Sequence, residues 1–517
     1  MQYRNPILRG FHPDPSVCRV GEDYYLVTSS FEYFPAMPVY HSRDLVNWTL
    51  LGNAQTFSNS LDLRAVRENG GIWAPTIRYH EGLFYIVVVV ESSANVFANY
   101  ILHAKDPAGP WSDPVRVEIG GIDPSILFDG GKAYFCTNDG LGLGGEGICL
   151  GVIDPLTGRT LEPFRRIWAG TGEGWLEAPH VYHIGEWYYL LCAEGGTYSG
   201  HMEVAARARS VWGPYESCPD NPILTNRNDT TKQACCCGHA DLFEDHLGNW
   251  WMVHLGVRPG VLSQSQMARE TFLTPVTWKN GWPSVQGRRA RIVEEGPIFA
   301  EQKPWPDFVD DFTQKTWPSD WIFVRNPDEK RYVRENGTLS VLAAGSKPDA
   351  KRFEGLACVR QPDMDFCMEA DVCVDALACG VSAGLCVMVN HMMYMFWGVK
   401  RDEDGLELFL ERRADDLDVI TYTEKLDPQC TEDGWLRLTI RGTKECYAFG
   451  VTDGEGSVYG KCTASARFFA NVFTGRGFTG TMTGLYAEAE GESEKMAVFR
   501  HFALSNPERL NHGEEIG

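Results

Sequence analysis

The feature that most limits what this chain can fold into is a fivefold internal repeat across its first three hundred residues. Five segments read alike: DPSVCRVGEDYYLVTSS from Asp14, APTIRYHEGLFYIVVVV from Ala74, DPSILFDGGKAYFCTND from Asp123, APHVYHIGEWYYLLCAE from Ala178 and HADLFEDHLGNWWMVHLG from His239. Each opens on a small or polar residue, continues as an apolar strand, breaks at a Gly turn and resumes as an aromatic strand. Measured from Pro15, Pro75, Pro124, Pro179 and Ala240, the aromatic strand begins nine or ten residues on, at Tyr24, Phe84, Tyr134, Tyr188 and Trp250. Repeats spaced 49 to 61 residues apart suit one four-stranded antiparallel blade each, and such units close radially into a propeller around a channel. The predicted fold is all-β, with a five-bladed β-propeller over residues 1–304.

Equivalent positions in blades set around an axis must lie around that axis together. The starts of the five repeats carry Asp14, Trp73, Asp123, Glu177 and His239. Polar residues ahead of a strand often do no more than cap a turn, but three carboxylates brought into one channel repel each other, a cost that structure alone would not select. Hydrolysis of an acetal at neutral pH needs one carboxylic acid to protonate the departing oxygen and one carboxylate to serve water or the sugar carbon. A third negative charge nearby can hold the acid protonated by raising its pKa.

The phrases FHPDPSV, GGIWAPTIRY, GIDPSILF, LEAPHVYHIGEWYYLL, GHADL and ARETFLTPVTWKNGWP, in that order, resemble the β-xylosidase and α-L-arabinofuranosidase members of glycoside hydrolase family 43, over nearly the whole chain. The resemblance implies that Asp14 is the general base, Asp123 an ionised modulator of pKa and orientation, and Glu177 the general acid of a single inverting displacement. It further implies that Arg269 binds a sugar hydroxyl, the alternative being a surface ion pair with Glu270, and that Phe31 and Trp73 wall the subsite of the terminal sugar, the alternative being blade packing. His239 is similar to an axial histidine that in some members binds a calcium ion or its waters; a plain hydrogen-bonding role is the alternative, and no cofactor is required. The stretch NRNDTTKQACCC from Asn226 and the turn PAMP at Pro35 depart from the pattern and bear on substrate preference.

Beyond Phe299 the segment AEQKPWPDFVDDF breaks the blade pattern, so a second domain is expected over residues 305–517. Alternating runs such as LELFLERR, DVITYTE, WLRLTIRG and YAFGVTD, with turns at Asp404-Gly405 and Asp453-Gly454, predict a β-sandwich. Family members of this kind carry a similar jelly-roll, concanavalin-like sandwich that lends a loop to the active site. The phrase GRGFTGT resembles that loop and makes Phe478 a candidate rim residue, an inner-sheet Phe being the alternative.

Charge and motifs exclude other classes. A net charge of −22 without a Lys/Arg cluster opposes nucleic acid, which is bound by displacing counterions from phosphates. No apolar run reaches a membrane span or a signal peptide, so a cytoplasmic protein with no membrane partner is expected. The 16 cysteines are scattered and without a CxxC pair, as buried thiols are; adjacent residues in Cys235-Cys236-Cys237 face opposite ways in extended chain, against a metal site. The serine-hydrolase match Gly380-Val381-Ser382-Ala383-Gly384 and the GxGxxG match at Gly142–Gly147 lack the helix that each needs. The expected activity is release of β-D-xylose from the non-reducing end of small xylo-oligosaccharides. An α-L-arabinofuranosidase, or an enzyme with both activities, is the near alternative, and a non-catalytic carbohydrate-binding propeller the distant one. A homo-oligomer is left open.

Overall fold

The computed structural model describes the chain apart from residues 94–95, 139–146, 232, 261–264, 346, 350–352, 427–430, 453–457, 470–476, 492–493 and 508–517. It forms two compact units, Met1–Pro259 with Arg269–Lys303, and Gly260–Ala268 with Pro304–Gly517.

Among the described residues the first unit holds five antiparallel sheets in chain order, one per repeat. The first sheet is Ser16–Val20, Asp23–Val27, Ala36–Ser42 and Thr49–Gln55; the second is Gly71–His80, Leu83–Ser93, Val96–Ala104 and Val115–Val117. The third is Ser125–Asp129, Lys132–Asn138, Ile148–Ile153 and Thr160–Trp168. The fourth is Glu177–Ile184, Trp187–Glu194, Met202–Ala208 and Glu216–Ser217, with Leu224–Thr225 also paired to Met202–Ala208. The fifth is Cys235–Glu244, Trp250–Val257, Glu270–Lys279 and Trp282–Ser284. The first strand of each sheet lies against that of the next, and the fifth returns to the first. Gln2–Arg4 pairs with Val293–Glu295 and joins the two ends of the unit.

The hairpin after each first strand follows from its turn residues. In the second sheet Glu81 and Gly82 both take positive φ, 48° and 85°, the type I′ pattern whose twist matches the flanking strands. No atom crowds a side chain at Gly82, so the turn conformation, not space, calls for glycine there.

A buried ion pair ties the first strands together. Arg78 donates to both oxygens of Asp241, at 2.7 and 2.9 Å, and Asp241 also accepts from Ser16 Oγ (2.6 Å), the Val17 N–H (3.0 Å) and Tyr182 OH (2.6 Å). Four of the five sheets thus meet at one carboxylate. Burial alone would raise the pKa of Asp241; the Arg78 charge and these donors outweigh it and hold the group well below the usual range, as a fully hydrogen-bonded buried charge requires.

In the second unit, again among the described residues, one sheet runs Tyr332–Glu335, Thr338–Leu342, Met496–Ser505, Phe366–Cys373, Trp435–Gly442, Cys446–Thr452 and Val458–Ser465, with Phe308–Asp310 also on Met496–Ser505. The other runs Leu356–Arg360, Met482–Ala489, Val381–Asn390, Met393–Asp402, Gly405–Ala414 and Leu417–Lys425. Alternate residues such as Val341, Leu438 and Phe499 from one sheet and Leu385, Trp397 and Leu485 from the other share one core, and Trp397 Nε1 donates across it to the Gly450 carbonyl at 2.9 Å. The segment Gly260–Ala268 belongs here: Gln361 Nε2 reaches Met267 Sδ at 3.4 Å and Thr481 Oγ1 donates to the Gln266 carbonyl.

Ser382, the centre of the serine-hydrolase match, lies in the strand Val381–Asn390, without the strand-to-helix turn that a nucleophile elbow needs. Residues 142–146 of the GxGxxG match and the turn at Asp453-Gly454 lie outside the described residues. The described cysteines are free thiols.

Candidate active site

The repeat register has a backbone counterpart. Asp14, Ala74, Asp123, Ala178 and His239 all take a left-handed conformation, with φ of 54°, 41°, 55°, 53° and 56°. These are the first residues of the five repeats, and a non-glycine residue rarely occupies this region without a reason in its surroundings. In the second, fourth and fifth sheets the ladder register also shifts here, between Trp73 and Thr76, between Glu177 and His180, and at Gly238 to Asp241. Such bulges re-aim side chains beside active sites.

Asp14 is buried, and both of its oxygens accept hydrogen bonds. Arg269 Nη1 donates to Oδ1 at 2.8 Å, and Ser29 Oγ donates to Oδ2 at 2.6 Å while accepting the Ala74 N–H at 2.6 Å. Ser29 therefore couples the first repeat start to the second. Arg269 is 6% exposed and also reaches Thr197 Oγ1 at 3.5 Å. The alternative of a surface pair with Glu270 does not hold, because Glu270 is bound by Arg258 at 2.7 and 2.8 Å and by the Gly10 N–H.

Asp123 accepts the Ala178 N–H at 3.1 Å, which brings it to the residue beside Glu177. Its carboxyl is pushed up to about 7, first by burial and then by the charge of Asp14, against the Ala178 N–H and the Arg269 charge. The reason is the depth of burial beside a second carboxylate, which penalises the charged form. Glu177 opens the strand Glu177–Ile184, half-buried and opposite Ala193.

Phe31 and Trp73 stand together, with ring centroids 5.8 Å apart, and the Arg269 guanidinium lies 5.3 Å from the Phe31 centroid. Phe31 is left-handed at φ 52° and pairs with Ile72 through two backbone hydrogen bonds of 2.8 and 2.9 Å. Gly71 permits this approach, since an added Cβ would run into the Phe31 carbonyl. Trp73 Nε1 donates to the Asn69 carbonyl at 3.0 Å.

His239 Nδ1 lies 3.7 Å from Asp14 Oδ1. Burial takes its pKa down to about 4, with His180 and Arg269 acting the same way and Asp14 and Asp241 opposing, so the ring is neutral at neutral pH. Calcium takes six to eight oxygen ligands. Among the described residues no group of three or more His, Cys, Asp or Glu side chains could hold a metal ion, and the oxygens of Asp14 are engaged by Arg269 and Ser29. Phe478 belongs to the second unit, half-buried ahead of Met482–Ala489, while Gly475 and Arg476 of the same phrase lie outside the described residues.

Ser29 and Thr197 are contacts of the site that spacing did not single out. For Ser29 a signal existed: Thr28-Ser29-Ser30 is a polar run ending an aromatic strand, and all three are fully buried.

Residues 3–283 match the model of glycosyl hydrolases family 43, and residues 309–505 match the β-xylosidase C-terminal concanavalin A-like domain. The chain belongs to glycosyl hydrolases family 43: it is a glycosidase acting on oligosaccharides, with a propeller-type domain followed by a concanavalin-like one. It is 39% identical over 510 residues to a non-reducing end α-L-arabinofuranosidase of Bacteroides ovatus, covering 95% of this chain and 92% of that protein. It is 30% identical over 540 residues to a β-xylosidase of Bacillus subtilis, covering 97% and 99%. Among solved structures, a xyloglucan-locus family 43 protein of Bacteroides ovatus superposes with a TM-score of 0.91 at 36% identity, covering 98% of this chain and 100% of that one.

Proposed function

We propose that the enzyme is an inverting, exo-acting pentosidase that removes a terminal β-D-xylose or α-L-arabinofuranose from the non-reducing end of short oligosaccharides. The observation that carries this reading is the pairing of Asp14 with Arg269 while Asp123 accepts a hydrogen bond from the residue next to Glu177. In this reading Asp14 draws a proton from the attacking water, Glu177 delivers one to the leaving oxygen, and Asp123 sets the position and protonation of Glu177. Arg269 orients Asp14 and holds a sugar hydroxyl, and Phe31 and Trp73 form an apolar wall for the sugar ring. Two acids suffice for this chemistry, so no cofactor enters it.

The catalytic unit is read as a five-bladed propeller, supported by five sheets whose first strands adjoin one another in a closed circuit. Activity on both pentoses is supported by the relatives named for each and by the similar hydroxyl arrangements that the two sugars can present. A purely sugar-binding propeller needs aromatic platforms but not two buried carboxylates, whose desolvation is costly.

A panel of nitrophenyl glycosides, with proton NMR of the anomeric signals during early turnover, tests the reading. The expected result is cleavage of the β-D-xyloside and the α-L-arabinofuranoside with an inverted first product. A product of retained configuration, or activity confined to hexosides, overturns it.

A further inference from the structure

Two residues before Glu177 stands a largely exposed indole. Trp175 is 72% exposed and left-handed at φ 56°, a conformation that bulky residues seldom adopt. The next residue, Leu176, is buried in the core between the third and fourth sheets, so Trp175 and Glu177 flank a core residue and stay outside that core. The segment that carries the ring is tied down. The Gly195 N–H donates to the Gly174 carbonyl at 2.8 Å, and the buried Glu194 carboxylate accepts the Thr171 N–H at 2.7 Å as well as its hydroxyl. Gly196 lies against the indole, where an added Cβ would sit 3.6 Å from Trp175 Cγ and Cδ1. The next residue, Thr197, contacts Arg269 at 3.5 Å. The fold thus anchors the segment that carries a largely exposed indole two residues before the acid.

A general acid sits where the leaving oxygen departs, so groups beside it on the solvent side face the leaving sugar. The C–H face of a pyranose packs on an aromatic ring as other apolar surfaces do. We propose that Trp175 is the platform for the leaving sugar, which makes it a specificity-determining residue favouring oligosaccharides over small leaving groups. This rests on the reading of Glu177 as the general acid.

The test uses the full chain, native, Trp175→Ala and Trp175→Phe, with the pentose that the native enzyme releases faster. That pentose is presented either on a xylose leaving group or as its glycosyl fluoride, whose leaving group has no ring. For Trp175→Ala, kcat/KM on the disaccharide should fall roughly tenfold, the scale of an aromatic anchor, while the fluoride changes by less than about twofold; Trp175→Phe should restore most of the loss. Equal losses on both substrates, or no loss on the disaccharide, overturn the platform and leave the pentosidase reading intact. A native enzyme idle on both substrates overturns the two together.

Discussion

Asp14 and Arg269 are 255 residues apart in the chain, and Arg269 Nη1 lies 2.8 Å from Asp14 Oδ1. The contact joins the start of the first repeat to the strand region of the fifth, so the candidate base is oriented by residues from both ends of the first unit. An asparagine at position 14 would keep an oxygen for Arg269 and lose the charge that draws a proton from water. Asp14→Asn should therefore fold and still bind free xylose by calorimetry, with turnover of a nitrophenyl pentoside lowered about 10²–10⁴-fold. Retention of more than about a tenth of native turnover, far outside that range, contradicts the role.

Ser29 gives a second expectation. Its hydroxyl donates to Asp14 and accepts the Ala74 N–H, so Ser29→Ala removes one donor from the candidate base and leaves a buried N–H unpaired, which costs about 1–3 kcal/mol. Denaturant unfolding should show that loss. Steady-state kinetics should show a lower kcat with KM little changed, because the base is mispositioned while the sugar wall of Phe31 and Trp73 is intact. A change in KM alone would place Ser29 in substrate binding instead.

Asp123 should reveal itself through stability as well as rate. Its folded-state pKa of about 7 lies above the ordinary value of 3.8. The favourable contribution of the protonated group is therefore fully present below about 3.8 and is lost as pH rises through about 7. Asp123→Asn retains an acceptor for the Ala178 N–H without the buried charge. Its Tm should match the native value near pH 5 more closely than at pH 8, where the variant should be the more stable by roughly 2 °C or more. The same variant should be a poorer enzyme. A Tm difference independent of pH would mean that Asp123 is not the group carrying the buried charge.

The residues that were legible in the sequence share a physical reason. The repeat starts could be aligned because turn glycines and aromatic strands impose local spacing, and the adjoining first strands then bring Asp14 close enough to act on Asp123 and set Asp123 against the residue after Glu177. Arg269 was legible only through its phrase, since no local periodicity links it to Asp14. Its burial and its partner emerge from folding, as does the quintet of left-handed residues at the repeat starts. Asp123 marks the limit most clearly: its residue type and position could be read, but its protonation depends on burial beside Asp14, a property of depth and not of spacing. The segment Gly260–Ala268, which groups with the second unit, interrupts the last repeat without any change of composition that would announce it.

Glu177 is separated from every other role by how the loss depends on the leaving group. Nitrophenolate is a stable anion and departs without help, whereas a sugar alkoxide is a strong base and needs a proton delivered in the transition state. A positioned acid supplies that proton at a benefit of about 10²–10⁴-fold. Glu177 opens the strand that also carries Ala178, whose N–H is held by Asp123, so truncating its side chain leaves the backbone contact in place. Glu177→Ala should lose far more activity on xylobiose than on an activated aryl xyloside, while affinity for free xylose changes little. Both rates should be measured at one pH with one enzyme preparation, because the ratio of the two losses cancels any difference in active fraction. Equal losses would assign Glu177 to holding the sugar and would move the proton donor to another residue.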